Sequence, residues 1–329
     1  MLRAWVSILI FRPYISIRFL SFAHRLAGPK NEKQGTWKMK TGLPKGTSRG
    51  GPEQGVLKDA LIAGQAVDMR ESQFVEPVQG FNRIICASST NMNEIADDTV
   101  HLVVTSPPYC VGKVYETHQT FEDWLVLMRL VCGEIRRVLV PGGRAAIDVG
   151  GIGRSPYRPT QYYVTQVLLE LGFLMRGEII WVKGSSAGTS TAWSSWRSAS
   201  NPTLRDIHEY VLVVSKDVMK RDRTGADTIL RDELLENTKS VWTFPTESAK
   251  RVGHPTPFPL ELPRRLILLY SFSGDVILDP FCGSGTTCVA ALMQGRRFIG
   301  YDNSSEFCDL ARRRISQAEE SLRTTRAAG

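Results

Sequence analysis

Two stretches of this chain hold residue types that could do chemistry, and the first is Thr105-Ser106-Pro107-Pro108-Tyr109, directly after the apolar run Leu102-Val103-Val104. The run predicts a buried strand, so the five residues stand at its carboxyl end, where open α/β sheets bind their ligands. Two successive prolines forbid helix and remove two backbone donors. Carbonyl acceptors remain, Ser106 adds a hydroxyl and Tyr109 a flat aromatic face. Such a set suits a planar amine, for example the exocyclic NH2 of a nucleobase, whose lone pair is delocalised into the ring. Hydrogen bonds from the NH2 to Ser106 Oγ and to a proline-region carbonyl would favour a pyramidal nitrogen. Tyr109 would stack on the extruded base for about 1–3 kcal/mol. For two prolines alone, a plain strand-ending turn is an equal reading; the flanking Ser and Tyr shift the balance.

The second stretch begins with Val276-Ile277-Leu278, another buried-strand signature, and runs through Asp279-Pro280-Phe281-Cys282-Gly283-Ser284-Gly285-Thr286-Thr287 into helix-forming residues 288–294. Strand, glycine turn, helix is the Rossmann order. Gly283 and Gly285 let the backbone approach a ligand and take positive φ, and the helix start offers N–H groups to an anion. A tight connection explains such a turn about as well. The continuation decides: Phe298-Ile299-Gly300-Tyr301 predicts the next strand, and Asp302 at its end stands where an acid meets ribose hydroxyls. Asp279 could meet an ammonium. Ammonium, carboxylate and ribose together describe S-adenosylmethionine.

The elements that must position these residues alternate in βαβ rhythm. Residues 83–86 and 100–105 predict strands, 91–95 a short helix and Asp97-Asp98 a turn. Thr120 caps a helix whose apolar residues Trp124, Met128, Val131, Ile135 and Val138 share one face; Pro141-Gly142-Gly143 stops it, and 144–149 forms the next strand. A helix through Tyr163, Val167, Leu168 and Leu171 ends at Gly172, followed by strands at 178–181 and 208–215. The loop between them, 184–204, is acid-free and holds Trp193, Trp196 and Arg197, with Lys183 and Arg205 at its edges. Aromatic faces with cations fit phosphates and bases better than they fit the core of a small subdomain. Residues 216–250 mix charges and predict a surface insertion, either part of a target-reading region or a solvated face. His254-Pro255-Thr256-Pro257-Phe258-Pro259 leads into a helix over 260–270.

The Ser-Pro-Pro-Tyr motif and the glycine turn make residues 82–315 resemble the permuted, beta-type family of DNA amino-methyltransferases, in which the catalytic half precedes the cofactor half. The resemblance implies a Rossmann-like sheet with helices on both faces. It implies a catalytic half over about 81–215, a cofactor half over about 251–320 and a small inserted target-recognition region. Ser106, Pro107, Pro108 and Tyr109 would grip the flipped base. Asp279, Pro280, Phe281, Gly283, Ser284, Gly285, Thr286 and Asp302 would surround S-adenosylmethionine, with His254 and Phe258 in a loop closing over its methionine end. Ser at the first motif position is the form more usual for methylation of cytosine N4; adenine N6 stays open, and a non-catalytic DNA-binding protein of the same fold is a further alternative. The expected partners are double-stranded DNA, contacted by Trp193, Trp196, Arg197 and Arg205, and a companion restriction endonuclease. Carbon-5 methylation is disfavoured, since no Pro-Cys dipeptide supplies its thiolate.

Charge and cysteine usage bound the rest. The net charge of +8 comes from residues 1–50, with ten Lys/Arg against Glu32; residues 51–329 carry −1. The pI is therefore no argument for DNA binding. Six scattered cysteines without a CxxC pair spell no metal site and favour a reducing compartment, consistent with a cytoplasmic or nucleoid location. Residues 1–58 read as a basic extension and linker before a domain over 59–329. Arginines interrupt 1–30 too often for a membrane span, leaving an organelle presequence or, slightly preferred, an appended segment with Met39 as the start.

Overall fold

The computed structural model describes residues 80–108, 120–151, 156–184, 195, 197–248, 252 and 259–327. Among these residues eight strands form one sheet: β1 (Arg83–Cys86), β2 (Val100–Thr105), β3 (Leu139–Val149), β4 (Phe173–Val182), β5 (His208–Lys216), β6 (Val241–Thr243), β7 (Val276–Asp279) and β8 (Arg297–Asp302). Their spatial order is β1-β8-β7-β2-β3-β5-β4-β6, and all neighbours are parallel except the two pairs made by β5. The long helices are α1 (Phe121–Val138), α2 (Thr160–Glu170), α4 (Glu261–Tyr270), α5 (Thr286–Met293) and α6 (Ser305–Ala327), with a short α3 (Arg231–Asn237).

Near-continuous apolar strands need cover on both faces, and both are covered here. Val103, Ala145, Ile147, Leu212 and Leu278 pack on one side with α1 and α2 residues such as Trp124, Met128 and Val164. Leu102, Val104, Ala146, Val211, Val213 and Ile277 pack on the other with Leu266, Ala290 and Ala311 of α4, α5 and α6. The expected Rossmann-like sheet with helices on both faces is the observed architecture. No described helix is long and apolar enough to cross a membrane.

Thr120 caps α1 as expected: its hydroxyl accepts from Asp123 N at 3.1 Å while its own N–H donates to the Asp123 carboxylate at 2.9 Å. The helix ends at Val138, before the Pro-Gly-Gly, because Leu139 already pairs with Val100 and Arg144 with Leu102; residues 140–143 bulge out between them. Gly142 is required there, since a Cβ would stand 2.6 Å from the Lys220 carbonyl.

Other expectations are corrected. Residues 91–95 form turns instead of a helix: Glu134 accepts from Met92 N at 2.7 Å, and Arg137 donates to the Met92 and Ile95 carbonyls at 2.9 Å, so α1 supplies partners that a helix would have found internally. β4 extends over ten residues rather than four. The stretch read as a surface insertion also carries core parts. Trp242 of β6 is buried beside β4, and Arg221 forms a buried ion pair with Asp275.

Candidate active site

The two chemical stretches converge where β2 and β7 lie side by side, with Leu102 opposite Ile277 and Val103 opposite Leu278. The chain leaves β2 for β3 on one side and β7 for β8 on the other, and α1 and α5 cover opposite faces. This is a topological switch point, where open α/β sheets form a crevice.

Side chains stitch its walls together. Thr105 Oγ1 donates to Asp279 Oδ1 at 2.7 Å, Phe281 N donates to the same oxygen at 3.1 Å, and Thr287 Oγ1 of α5 donates to the Val104 carbonyl at 3.4 Å. Asp279 is buried, and the loss of water pushes its pKa up to about 6 against the opposing pull of the Thr105 and Thr287 hydroxyls. A buried carboxyl whose anion is favoured by hydrogen bonds, and by no cation among the described residues, is a ready partner for one.

The glycine turn is shaped from the neighbouring strand and helix. Gly283 (φ +49) donates its N–H to Asp302 Oδ2 at 3.0 Å, while the other oxygen of Asp302 accepts from Ser304 N at 2.8 Å. Gly285 (φ +77) caps α5, and a Cβ there would stand 2.8 Å from Ala311 Cβ, so only glycine lets α6 approach. The Ser284 and Thr286 hydroxyls lie 2.8 and 3.0 Å from Arg314 Nη1, which also donates to the Ser284 carbonyl at 2.7 Å. Those two hydroxyls, expected beside the cofactor, are thus turned toward α6. Arg314 was invisible as a site-shaping residue because only the α5–α6 packing brings it here.

At the Pro-Pro segment Ser106 and Pro108 are half-buried and Pro107 is buried. Trp124 Nε1 donates to the Pro108 carbonyl at 2.7 Å, with the Trp124 ring stacked on Phe121. Trp124 read from the sequence as one more core position of α1; its place in the first turn of the helix that follows the motif was the signal that could have marked it.

The loop after β4 rises from the same carboxyl edge of the sheet as β2, β7 and β8, since β4 runs parallel to them. Arg197 and Arg205 are exposed on it, and Ser195 ties the loop through its N–H to the Asn201 carbonyl at 3.1 Å. Tyr109, Trp193, Trp196, His254 and Phe258 lie outside the described residues.

A family model described as DNA methylase matches residues 100–313, spanning both walls of this crevice. The chain belongs to the N6/N4 DNA methylase family. This methylase is 33% identical over 273 residues to the type II methyltransferase M.MthZI of Methanothermobacter thermautotrophicus, covering 72% of this chain and 77% of that protein. It is 28% identical over 266 residues to the type II methyltransferase M.MjaI of Methanocaldococcus jannaschii, covering 67% and 86%. The structure of a DNA modification methylase from Thermus thermophilus, TTHA0409, solved in complex with S-adenosyl-L-methionine, matches this methylase at 29% identity with a TM-score of 0.58, over 72% of this chain and 95% of that one.

Proposed function

We propose that this methylase transfers the methyl group of S-adenosylmethionine to the exocyclic N4 amine of cytosine in double-stranded DNA. The observation that carries the reading is the Thr105–Asp279 hydrogen bond, which joins the amine-gripping segment to the glycine turn at the switch point. When bound, the cofactor supplies an electrophilic methyl on a sulfonium. Asp279 meets its ammonium, the N–H groups at the start of α5 receive its carboxylate, Asp302 accepts from its ribose hydroxyls and Phe281 lies against its adenine. Among the described residues no cation offsets the Asp279 charge, which suits this set.

On the acceptor side, Ser106 Oγ and the Pro107 carbonyl accept the two amine hydrogens of a flipped cytosine. The Pro108 carbonyl is already engaged by Trp124, which narrows the choice to Pro107. Holding both hydrogens below the nitrogen would direct its lone pair at the methyl, and alignment within about 3–3.5 Å would make the displacement effectively unimolecular; the sulfonium would leave as a neutral thioether and the methylated amine would then shed one proton to water. Tyr109 stacks on the base, and Arg197 and Arg205 meet backbone phosphates. Ser at position 106 favours cytosine over adenine. A companion endonuclease would cut the same sequence, and methylated DNA would resist it.

Nucleoside mass spectrometry of DNA treated with the protein and S-adenosylmethionine should find N4-methylcytosine; N6-methyladenine would overturn the base assignment. Ser106→Ala should cut turnover by about 100-fold, in the range seen when one preorganised polar contact is removed, with cofactor Kd unchanged. Undiminished turnover would remove Ser106 from the mechanism.

A further inference from the structure

The face of the sheet that carries Ser106 also carries three charged side chains that the reaction above does not use. Leu102 and Val104 of β2, Ala146 of β3, Val211 and Val213 of β5, and Ile179 and Trp181 of β4 pack into one cluster. Side chains alternate along a strand, so the next positions on that face toward the carboxyl edge are Ser106, Asp148, Glu209 and Lys183. The register agrees: Thr105 pairs with Ile147, which puts Ser106 level with Asp148, and Glu209 pairs with Trp181.

Asp148 is 2% exposed, and among the described residues no amide, hydroxyl or cationic donor reaches its carboxyl oxygens. It faces the Glu209 carboxyl; burial first, and then the Glu209 charge, hold its pKa well above the usual carboxylate range. Two carboxyls brought this close repel unless a proton or a cation offsets the charge. Lys183 supplies a cation. Its Nζ lies 2.6 Å from Glu209 Oε1, and from β4 it reaches inward over the sheet far enough to oppose the shift on Asp148. Lys183 and Glu209 stay partly exposed, so a ligand can reach them. Apolar residues would fill this face at less cost than a desolvated charge cluster, so stability does not explain it.

The spacing allows contact with a base. Ser106 follows β2 and Glu209 lies on β5, two strand spacings or roughly 10 Å apart, within which a base gripped at Ser106 and the ammonium held at Glu209 can meet. With the amine held at the end of β2, the adjoining ring edge turns toward β3 and β5, and its acceptors need donors. We propose that Lys183 is a specificity-determining residue that donates to the ring nitrogen beside the target amine, N3 of cytosine, with Glu209 orienting its ammonium and Asp148 fixing Glu209. The proposal rests on the base-modifying reading given above. A site built to hydrogen-bond one substrate atom discriminates strongly against an analogue that lacks it.

The test uses the full chain, S-adenosylmethionine and a duplex oligonucleotide carrying the site found by sequencing methylated DNA. Single-turnover rates are compared for wild type, Lys183→Met and Glu209→Gln, with cytosine and then 3-deazacytosine as the target base. The expected result is a loss of about 30-fold for the analogue with wild type and a similar loss for each variant with cytosine. Variant and analogue together should lose little more than either alone, and cofactor Kd should stay within twofold. Losses that multiply would mean that Lys183 acts elsewhere, and an undiminished wild-type rate on 3-deazacytosine would overturn the proposal even if a variant failed to fold. Mass spectrometry of the same reactions reports the base assignment separately: methyl on adenine N6 would refute the cytosine reading while 1-deazaadenine tests Lys183 in the same way. No methyl transfer by wild type would sink both.

Discussion

Removing a carboxylate from water favours its protonated form, and at Asp279 burial pushes the pKa up to about 6 despite hydrogen bonds from Thr105 and Phe281 that favour the anion. The folded value lies above the ordinary 3.8, so the contribution of Asp279 to stability is fully present below that value and is lost as pH rises through about 6. In the proposed site the cofactor ammonium needs the carboxylate, so its binding would release this proton. S-adenosylmethionine should therefore bind about tenfold more weakly at pH 5 than at pH 7. Thr105→Val removes a bond to the anion and should move the break to higher pH. Calorimetric titration across this range checks both, and a Kd flat from pH 5 to 7 would take Asp279 away from the ammonium.

At the scale of elements, α1 both covers the sheet and sets the Pro-Pro segment. Its buried face of Trp124, Met128, Val131, Ile135 and Val138 gives roughly 1.5–3 kcal/mol for each large side chain removed from water, which holds the helix against β2 and β3. Trp124 then spends its one donor on the Pro108 carbonyl. Trp124→Phe keeps ring contacts and strands that carbonyl, for a cost of about 1–3 kcal/mol in stability. We expect turnover to fall about tenfold, as befits a small displacement of aligned groups, with cofactor Kd within twofold. Equal turnover by the variant would show that the segment holds its shape without α1. The glycine turn is served likewise, by Asp302 from β8 and Arg314 from α6.

At the scale of the whole molecule, the proposed site and a buried ionic network sit at opposite edges of the sheet. The carboxyl edge gathers the Pro-Pro segment, the glycine turn and the loop after β4, while the amino edge holds a buried network around Asp275, just before β7. Asp275 pairs with Arg221 and accepts from Thr224 Oγ1 at 2.6 Å and Phe272 N at 2.7 Å; His101 stands 3.6 Å away. The His101 Nδ1 accepts from Val276 N, and burial lowers its pKa, leaving a neutral imidazole whose Nε2–H faces Asp275. Arg221→Met leaves a buried carboxylate without its cation, a loss of about 3–5 kcal/mol. At about 2–4 °C per kcal/mol for a domain of this size, the melting temperature should fall by roughly 6–20 °C. Cofactor affinity measured below that transition should not change. An unshifted melting temperature would show that the network contributes nothing.

Local signals in the sequence determined a good deal. Apolar runs marked β2, β7 and β8, Thr120 marked the start of α1, and the Pro-Pro and glycine-turn motifs named both walls of the site, because each depends on residues adjacent in the chain. Strand order was not legible: nothing near Val276 says that β7 inserts between β8 and β2, and yet that insertion makes the Thr105–Asp279 contact, 174 residues apart in sequence. The three-residue β6 was too short to show a period, and residues 91–95 were misread because their hydrogen-bond partners come from α1. Asp148 read as one polar residue in a strand. Only the folded sheet, by drawing Glu209 of β5 and Lys183 at the end of β4 onto the same face, turns it into part of a partly buried charged cluster, since burial and charge pairing depend on distance in space and not along the chain.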